Sequence, residues 1–540
     1  MQHRKLICSL LFMALITACY KEPESTDKET ESEDNLVESP ECAAWLAFES
    51  STDENLLIDY SYAGYKRGEV AVPDVSTLGY STFDVTHYGA VADDDKSDRA
   101  AIVAAAAALK ANGGGILYFP EGTFDLHTED DASEATIITT GNIVLKGESR
   151  EKSIIRMSAP MQPADESVLY SSPTALYIKH NSDGSFISNV SADSAKGSFS
   201  IWLESTSGLA AEDWVTLKLT DNSPELIEQR LGEEYYSCIT SSYDIAINGV
   251  QVVEYHQIKE IVGNRVVFYE PLMHEVDDRW NWALYNYPHY EEVGVEDLTF
   301  EGQCKDDFSH HDSWEDDGAY KPINLMRLTN SWMRRVTFRN VSEASSIVSC
   351  ANVSVYDISI EGDRGHSAIR AQSSTRTFIG KVDDLTSDGQ GQFHAVGVSK
   401  PSIGTVLWRN EWGTDGCFES HAFQPRATLI DGCRGAFMEY HQGGDYTASP
   451  SHMEDLTIWN FEATSASESN PFKWWNTSDG WRFLPPIVVG FHGAAITFDS
   501  SQMLYEESTS KAVYPESLYE AQLEKRLGAL PAWVTELKNR

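Results

Sequence analysis

Residues 83–126 read FDVTHYGAVADDDKSDRAAIVAAAAALKANGGGILYFPEGTFDL. The order is strand, turn, helix, turn, strand. Phe83–Val85 is a short β run that leads into Tyr88-Gly89-Ala90 and an acidic turn. Asp98 is placed to cap the alanine-rich stretch that runs to Lys110, a composition with the highest intrinsic helix propensity. Gly113-Gly114-Gly115 ends that helix, because glycine supplies the left-handed backbone a helix stop requires. A second β run, Ile116–Phe119, meets Pro120 and a Glu121-Gly122 turn, and Ile143–Leu145 and Ile154–Arg156 read as the next short strands. No Gly-Lys-Ser/Thr follows the three glycines, so they are not a phosphate loop.

Further along, β runs recur at regular spacing. They are 295–300, 333–338, 355–360, 382–386, 405–409, 427–431 and 453–458, with central apolar residues Leu298, Val336, Ile358, Leu385, Leu407, Leu429 and Leu456. From Val336 on, the intervals are 22, 27, 22, 22 and 27 residues. One β run per 20–30 residues is the mark of a stacked solenoid, in which each coil buries its apolar face against the next. A β-sandwich would need hairpin turns every 8–12 residues, and such turns are sparse.

The stretch at 83–126 resembles the N-terminal cap and first coils of the pectate-lyase-like superfamily. That family pattern is a strand, Tyr-Gly-Ala, an acidic turn, a capping helix, a glycine-rich turn and a strand ending before Pro-x-Gly-x-Tyr/Phe. The resemblance implies an all-β chain built as a right-handed parallel β-helix, with an N-terminal capping helix and a β-rich insertion. It also points toward a bacterial polysaccharide-degrading branch that includes uronate and glycosaminoglycan lyases. Lyases, hydrolases and phage tailspikes share this fold, so the chemistry has to be argued from the site.

The expected organisation follows. Residues 1–18 read as a lipoprotein signal: Arg4 and Lys5, an apolar run from Leu6 to Ile16, then Thr17-Ala18 before Cys19, the lipidation site. Residues 19–44 are an acidic, Ser/Thr/Pro-containing tether with too few apolar groups to fold. Residues 45–540 form the β-helix, elaborated by extra β structure at about 160–292 and closed by a cap at about 470–540, where positions 518, 522, 523 and 527 make a helical face. The polar stretch 303–322 (QCKDDFSHHDSWEDDGAYKP) is a loop leaving one coil, and such loops border substrate clefts. The expected location is the outer membrane, at the cell surface or in the periplasm, through the lipid anchor. Cys42, Cys238, Cys304, Cys350, Cys417 and Cys433 have no zinc-type spacing and read as buried thiols or one or two disulfides.

Lys+Arg total 41 against Asp+Glu 83, a formal charge of −42. A surface this acidic repels a phosphate backbone and excludes nucleic acid as a partner. An anionic substrate must instead find a local basic patch, so the cleft is expected to be positive.

A second β run follows each apolar centre by about ten residues: 346–350, 366–370, 393–398, 417–421 and 437–441. Alternation puts His366 with Arg370, Glu419 with His421, and Glu439 with His441 on one face. His394 and Arg426 lie in or just beyond this strip. The candidate catalytic residues are therefore His421, His441, Arg370, His394, Glu419 and Glu439; His366, Arg364, Arg426 and Lys400 are candidates for substrate binding. β-Elimination from a uronate needs a base, a group that neutralises the carboxylate and an acid for the leaving oxygen, which suits the His and Arg content. Hydrolysis would use Glu419 and Glu439 as a flanking pair of carboxyls, with Asp415 and Asp445 in reserve. In a third reading, a glycan-binding module, Trp314, Trp408, Trp412, Trp474, Trp475 and Trp481 would offer stacking platforms. No cofactor motif is present; a divalent cation enters only if the two Glu and two His of the strip act as ligands. The expected partner is an anionic polysaccharide.

Overall fold

The computed structural model describes residues 41–51, 56–467, 470–475 and 482–540. The signal segment, Cys19, the tether up to residue 40 and Trp481 lie outside the described residues. Residues 41–44 do not continue a tether: a helix spans Ala43–Ser50, and Cys42 and Trp45 are buried.

The chain is a parallel β-helix. One buried row passes in register through Val295, Met333, Val355, Ile379, Leu407, Ile430, Ile458 and Val488, one residue per coil. Each apolar side chain stacks on its like in the next coil, about 4.8 Å away, which gives one continuous core. Two sequence-derived centres fall off this interior. Val382, not Leu385, pairs with Ile358, and Leu385 is exposed. Leu429 pairs with Val406 and faces outward, while its neighbour Ile430 faces in. A one-residue slip in a period of two turns a side chain to the opposite face.

The long strands bend at a column of left-handed residues: Asp297, Arg335, Asp357, Lys381 and Arg409, with φ of 61, 51, 57, 50 and 50°. Side chains at these corners are half-buried, and their charges alternate along most of the column. Arg335 pairs with Asp297 at 2.5 Å and Arg150 with Asp357 at 3.1 Å. Glycine or asparagine is the usual occupant of such a conformation; here stacked ion pairs accompany it.

At the N-terminal end, the helix Arg99–Ala111 packs Ala101, Ile102, Ala105 and Leu109 onto the core and covers it. Asp98 does not cap this helix through its side chain. Its carboxylate accepts from the backbone N–H of Val91 (2.8 Å) and of Asp125 (3.0 Å), tying the acidic turn to the next coil.

The expected β-rich elaboration is a closed antiparallel barrel of six strands, from Phe186–Ala192 to Trp282–Asn286. It has its own core, including Val215, Leu217, Val252, Ile258, Val266 and Leu284. Its docking on the solenoid centres on Arg376, which is 1% exposed. That guanidinium donates to the carbonyls of Tyr255 (3.1 Å) and Pro271 (2.6 Å) and stands 3.6 Å from Glu254.

The C-terminal segment runs along the flank of the solenoid and does not only close its end. Helix Leu518–Leu527 buries Leu518, Tyr519 and Leu523 beside Trp332, Phe378, Trp408 and Trp459. Asp431 caps it, accepting from the N–H groups of Leu518 and Tyr519 and from the Ser517 hydroxyl. The six cysteines from Cys42 on are free thiols, five of them buried, and burial pushes Cys350, Cys417 and Cys433 up to about 12.

Candidate active site

The site is built on a second face of the solenoid. Seven short parallel strands line it: Thr136–Ile138, Leu176–Lys179, Ile323–Met326, Glu343–Val348, Ser367–Gln372, Gly397–Ser399 and Glu419–His421. The inward row includes Ile178, Leu325, Ile347, Ala371 and Val398, all part of the core. The outward row is polar: Tyr177, Asn324, Ser346, Arg370, Gly397 and Glu419 stand in register. His421 lies two residues past Glu419 and shares its face.

Gly397 sits between Arg370 and Glu419 in this row. With no side chain there, Arg370 Nη1 reaches across a coil to Glu419 Oε2 at 2.7 Å. A Cβ at residue 397 would stand 2.2 Å from the Glu419 carbonyl oxygen and 2.9 Å from its Cβ. Gly397→Ala is therefore expected to disturb both the strand pairing and the Arg370–Glu419 contact. A melting temperature lowered by several degrees, equivalent to about 1–3 kcal/mol of overpacking, checks this; unchanged stability and activity would contradict it.

The polar loop after residue 302 folds over this face, as its position predicts, and it brings residues that sequence reasoning did not select. Trp314 is buried in the core and anchors the loop; Ser313 caps the short helix Trp314–Gly318. The acids of that helix hold the loop back onto itself: Asp316 accepts from the Ser309 N–H and Asp317 from the His311 N–H, each at 3.1 Å. His311 Nδ1 also donates to Asp317 at 2.5 Å. His310 stacks on Phe393 with ring centres 3.8 Å apart and lies 5.4 Å from His366 and 5.2 Å from His394. His366 and His394 are 5.0 Å apart. Adjacent histidines in a loop beside a solenoid face were the available signal; their convergence on His366 and His394 was not legible.

His394 Nδ1 lies 2.7 Å from the His441 carbonyl oxygen, which can only accept, so Nδ1 carries the proton and Nε2 the lone pair. That Nε2 is 3.8 Å from Glu419 Oε1. The His441 ring lies tilted against Phe393, with centres 3.8 Å apart. Arg364 is held over the same aromatic ring and pairs with Asp415 at 2.6 Å. Glu343, missed from sequence, is 3.7 Å from His366 and 4.0 Å from Arg370.

Burial governs the protonation of this cluster. It lowers His394 well below the usual imidazole range, helped by His366 and His310, and brings His441 to about 4. His310 falls to about 3 through burial and then the charges of His311 and His366. Burial also lowers His421, with Glu419 opposing it. The Asp317 hydrogen bond raises His311 against its own partial burial. Burial alone would raise Glu343, but Lys321, His366 and Arg370 outweigh it and hold the carboxyl at about 2.

Several expectations need correction. Strand Arg434–Phe437 belongs to the large sheet and ends at Phe437, so 437–441 is not a strand of the site face. The residue bridged to Ser420 is Gly443, which removes Glu439 from the position beside Glu419. A Glu419/Glu439 pair for hydrolysis therefore does not form, and Glu419 is committed to Arg370. Asp415 serves Arg364, and Asp445 caps the turn at Tyr446–Ala448. Arg426, 1% exposed, is in the large sheet and pairs with Glu454 (3.3 Å) and the Gln251 carbonyl (3.0 Å) at the barrel contact. Lys400 lies past the far end of the face, on a cavity of about 680 Å³ shared with Lys218, Tyr255, Tyr285 and Tyr287 of the barrel. The tryptophans do not form a platform: Trp314, Trp408, Trp412, Trp474 and Trp475 are all buried. Nor is the cleft simply basic, since Arg364 and Arg370 each have a carboxylate partner.

Residues 82–215 match the family model described as rhamnogalacturonase A/epimerase, pectate lyase-like. Residues 391–537 match a model described as a domain of unknown function, DUF4955. No curated protein matches the chain. Among solved structures, the tailspike protein gp49 from Pseudomonas phage LKA1 is similar at 12% identity over 77% of this chain and 76% of that one, with a TM-score of 0.41. The A-module of Azotobacter vinelandii mannuronan C-5 epimerase AlgE4 is similar at 12% identity over 81% and 80%, TM-score 0.34. The Streptococcus pneumoniae surface protein and adhesin PfbA is similar at 13% identity over 80% and 87%, TM-score 0.38. The pectate-lyase-like resemblance thus holds for the N-terminal coils; the glycosaminoglycan branch has no counterpart in these matches.

Proposed function

We propose that this chain cleaves an anionic, uronate-containing polysaccharide by β-elimination on the outer face of the seven-stranded sheet. The observation that carries the reading is His421 beside Arg370, which Glu419 holds in place across Gly397, with His394 Nε2 3.8 Å from the same Glu419 carboxylate. Arg370 faces the uronate carboxylate and stabilises the charge that develops when C5 loses its proton. His421 is the base: its burial keeps it unprotonated, and Glu419 beside it supports its basicity. His311, whose protonated form the Asp317 hydrogen bond favours and which is half exposed at the loop edge, donates to the leaving glycosidic oxygen. One group that sheds its proton and one that keeps it is the arrangement acid–base catalysis requires. The pectate-lyase-like match over 82–215 supports a role on polysaccharides, whether modification or binding.

The test is incubation of the full chain with a panel of uronate polysaccharides. Ultraviolet absorbance of the unsaturated product is the expected result; new reducing ends without that absorbance mean hydrolysis, and binding without products means a glycan-binding module. Salt provides a further check. An anionic polymer is repelled by a body of formal charge −42, over about 10 Å at 0.1 M salt but only about 3 Å at 1 M. The rate is expected to hold or rise as salt increases to about 0.5 M; a steep fall would overturn the idea that substrate is bound by close, desolvated contacts.

A further inference from the structure

We propose that His310, His366 and His394 bind one divalent transition-metal ion of the zinc class in the floor of this cleft. The inference rests on the same face that the proposed function uses and adds a component to it.

Three observations carry it. One nitrogen from each of these imidazoles lies within 4.8 Å of those of the other two. Their side chains come from three separate segments: the loop, the edge of strand Ser367–Gln372, and the residues before strand Gly397–Ser399. His310 Nε2 and both nitrogens of His366 are buried without a hydrogen-bond partner, although buried polar atoms are normally satisfied. His394 donates its Nδ1–H to the His441 carbonyl at 2.7 Å, which leaves Nε2 as its nitrogen free to ligate. An imidazole oriented through its far nitrogen by a carbonyl is the usual outer-shell support of a metal ligand.

The competing set, His311, Asp317 and His366, is less suited. The Asp317 carboxylate is occupied by the Nδ1–H and backbone N–H of His311. Three neutral nitrogens with a coordination position left open is a zinc-type arrangement, with bonds of about 2.0–2.1 Å. The ion would meet a need the side chains leave open. Arg370 shares its charge with Glu419 and Arg364 shares its charge with Asp415, so a bound cation adds a second positive charge beside Arg370 for an incoming uronate carboxylate. The ion acts there as a Lewis acid.

The test uses the full chain without a histidine tag, loaded with zinc alone and dialysed. Metal analysis should find one zinc per chain, and a cobalt(II)-substituted sample should show the ligand-field bands of nitrogen coordination. His366→Ala and His394→Ala should each weaken binding by at least tenfold, with melting curves showing whether they fold. His310→Asn, in the loop, keeps the test decisive if the strand variants unfold. His492→Ala, elsewhere on the solenoid, should bind as wild type does. Substoichiometric zinc in the wild type, or undiminished binding in His310→Asn, overturns the site. Depolymerisation without zinc binding would remove the metal and leave the proposed function; stoichiometric zinc without action on any uronate polysaccharide would do the reverse.

Discussion

His421→Ala should lower the rate of uronate polysaccharide cleavage by about 10²–10⁴-fold, the usual contribution of a positioned general base. The residue stands at the end of the outward row, two positions from Glu419, whose carboxylate is fixed by Arg370 at 2.7 Å. Truncation removes the proton acceptor but leaves Arg370, Glu419 and the loop histidines where they are, so binding should change far less than turnover. The decisive measurement is kcat and KM on the best substrate of the panel, with melting curves as a control for folding. A loss carried in kcat supports the assignment. A variant that keeps wild-type kcat would reject His421 as base and transfer the role to His441, whose Nδ1 is buried without a partner and whose ring packs tilted against Phe393.

Arg376→Met should cost about 3–5 kcal/mol, the range for removing one partner from a buried ionic group. Arg376 is a fully buried cation of the contact between barrel and solenoid. Glu254 and Glu270, both fully enclosed, face it together with His256. Burial would raise both carboxyls, but His256 and Arg376 outweigh it and hold them below their ordinary values. Carboxyls lowered in the folded state contribute stability that is present above about pH 4.3, the unfolded value for Glu, and is lost as pH falls through their folded values. The wild type should therefore lose stability in acid, and the Arg376→Met variant should be weakened already at neutral pH, with a flatter dependence below it. Denaturant melts between neutral and acid pH measure both. A variant as stable as wild type at neutral pH would show that this ionic group adds no net stability to the docking of the barrel.

The parts of this protein legible in its sequence were those set by local chain chemistry. The run 83–126 specified a strand, a helix and a second strand because alanine, the three glycines and Pro120 each restrict the backbone where they stand. The coil repeat was visible because every coil must bury an apolar residue at nearly the same interval, and the loop after residue 302 stood out as a break in that rhythm. Alternation also placed His366 with Arg370, and Glu419 with His421, correctly.

What depended on register was not legible. Leu385 and Leu429 are as apolar as their neighbours Val382 and Ile430, and only the pairing of one coil with the next decides which faces inward. The same uncertainty misplaced Glu439 and Arg426, since coil length varies in the turns and the turns carry no period. The site itself combines segments far apart in the chain: His310 and His311 from a loop, Glu343, His366, Arg370, His394 and Glu419 from successive coils. No spacing in the sequence encodes that meeting. It is decided by Trp314 anchoring the loop, by the absence of a side chain at Gly397, and by the burial that stacking imposes on imidazoles which would otherwise be exposed to water.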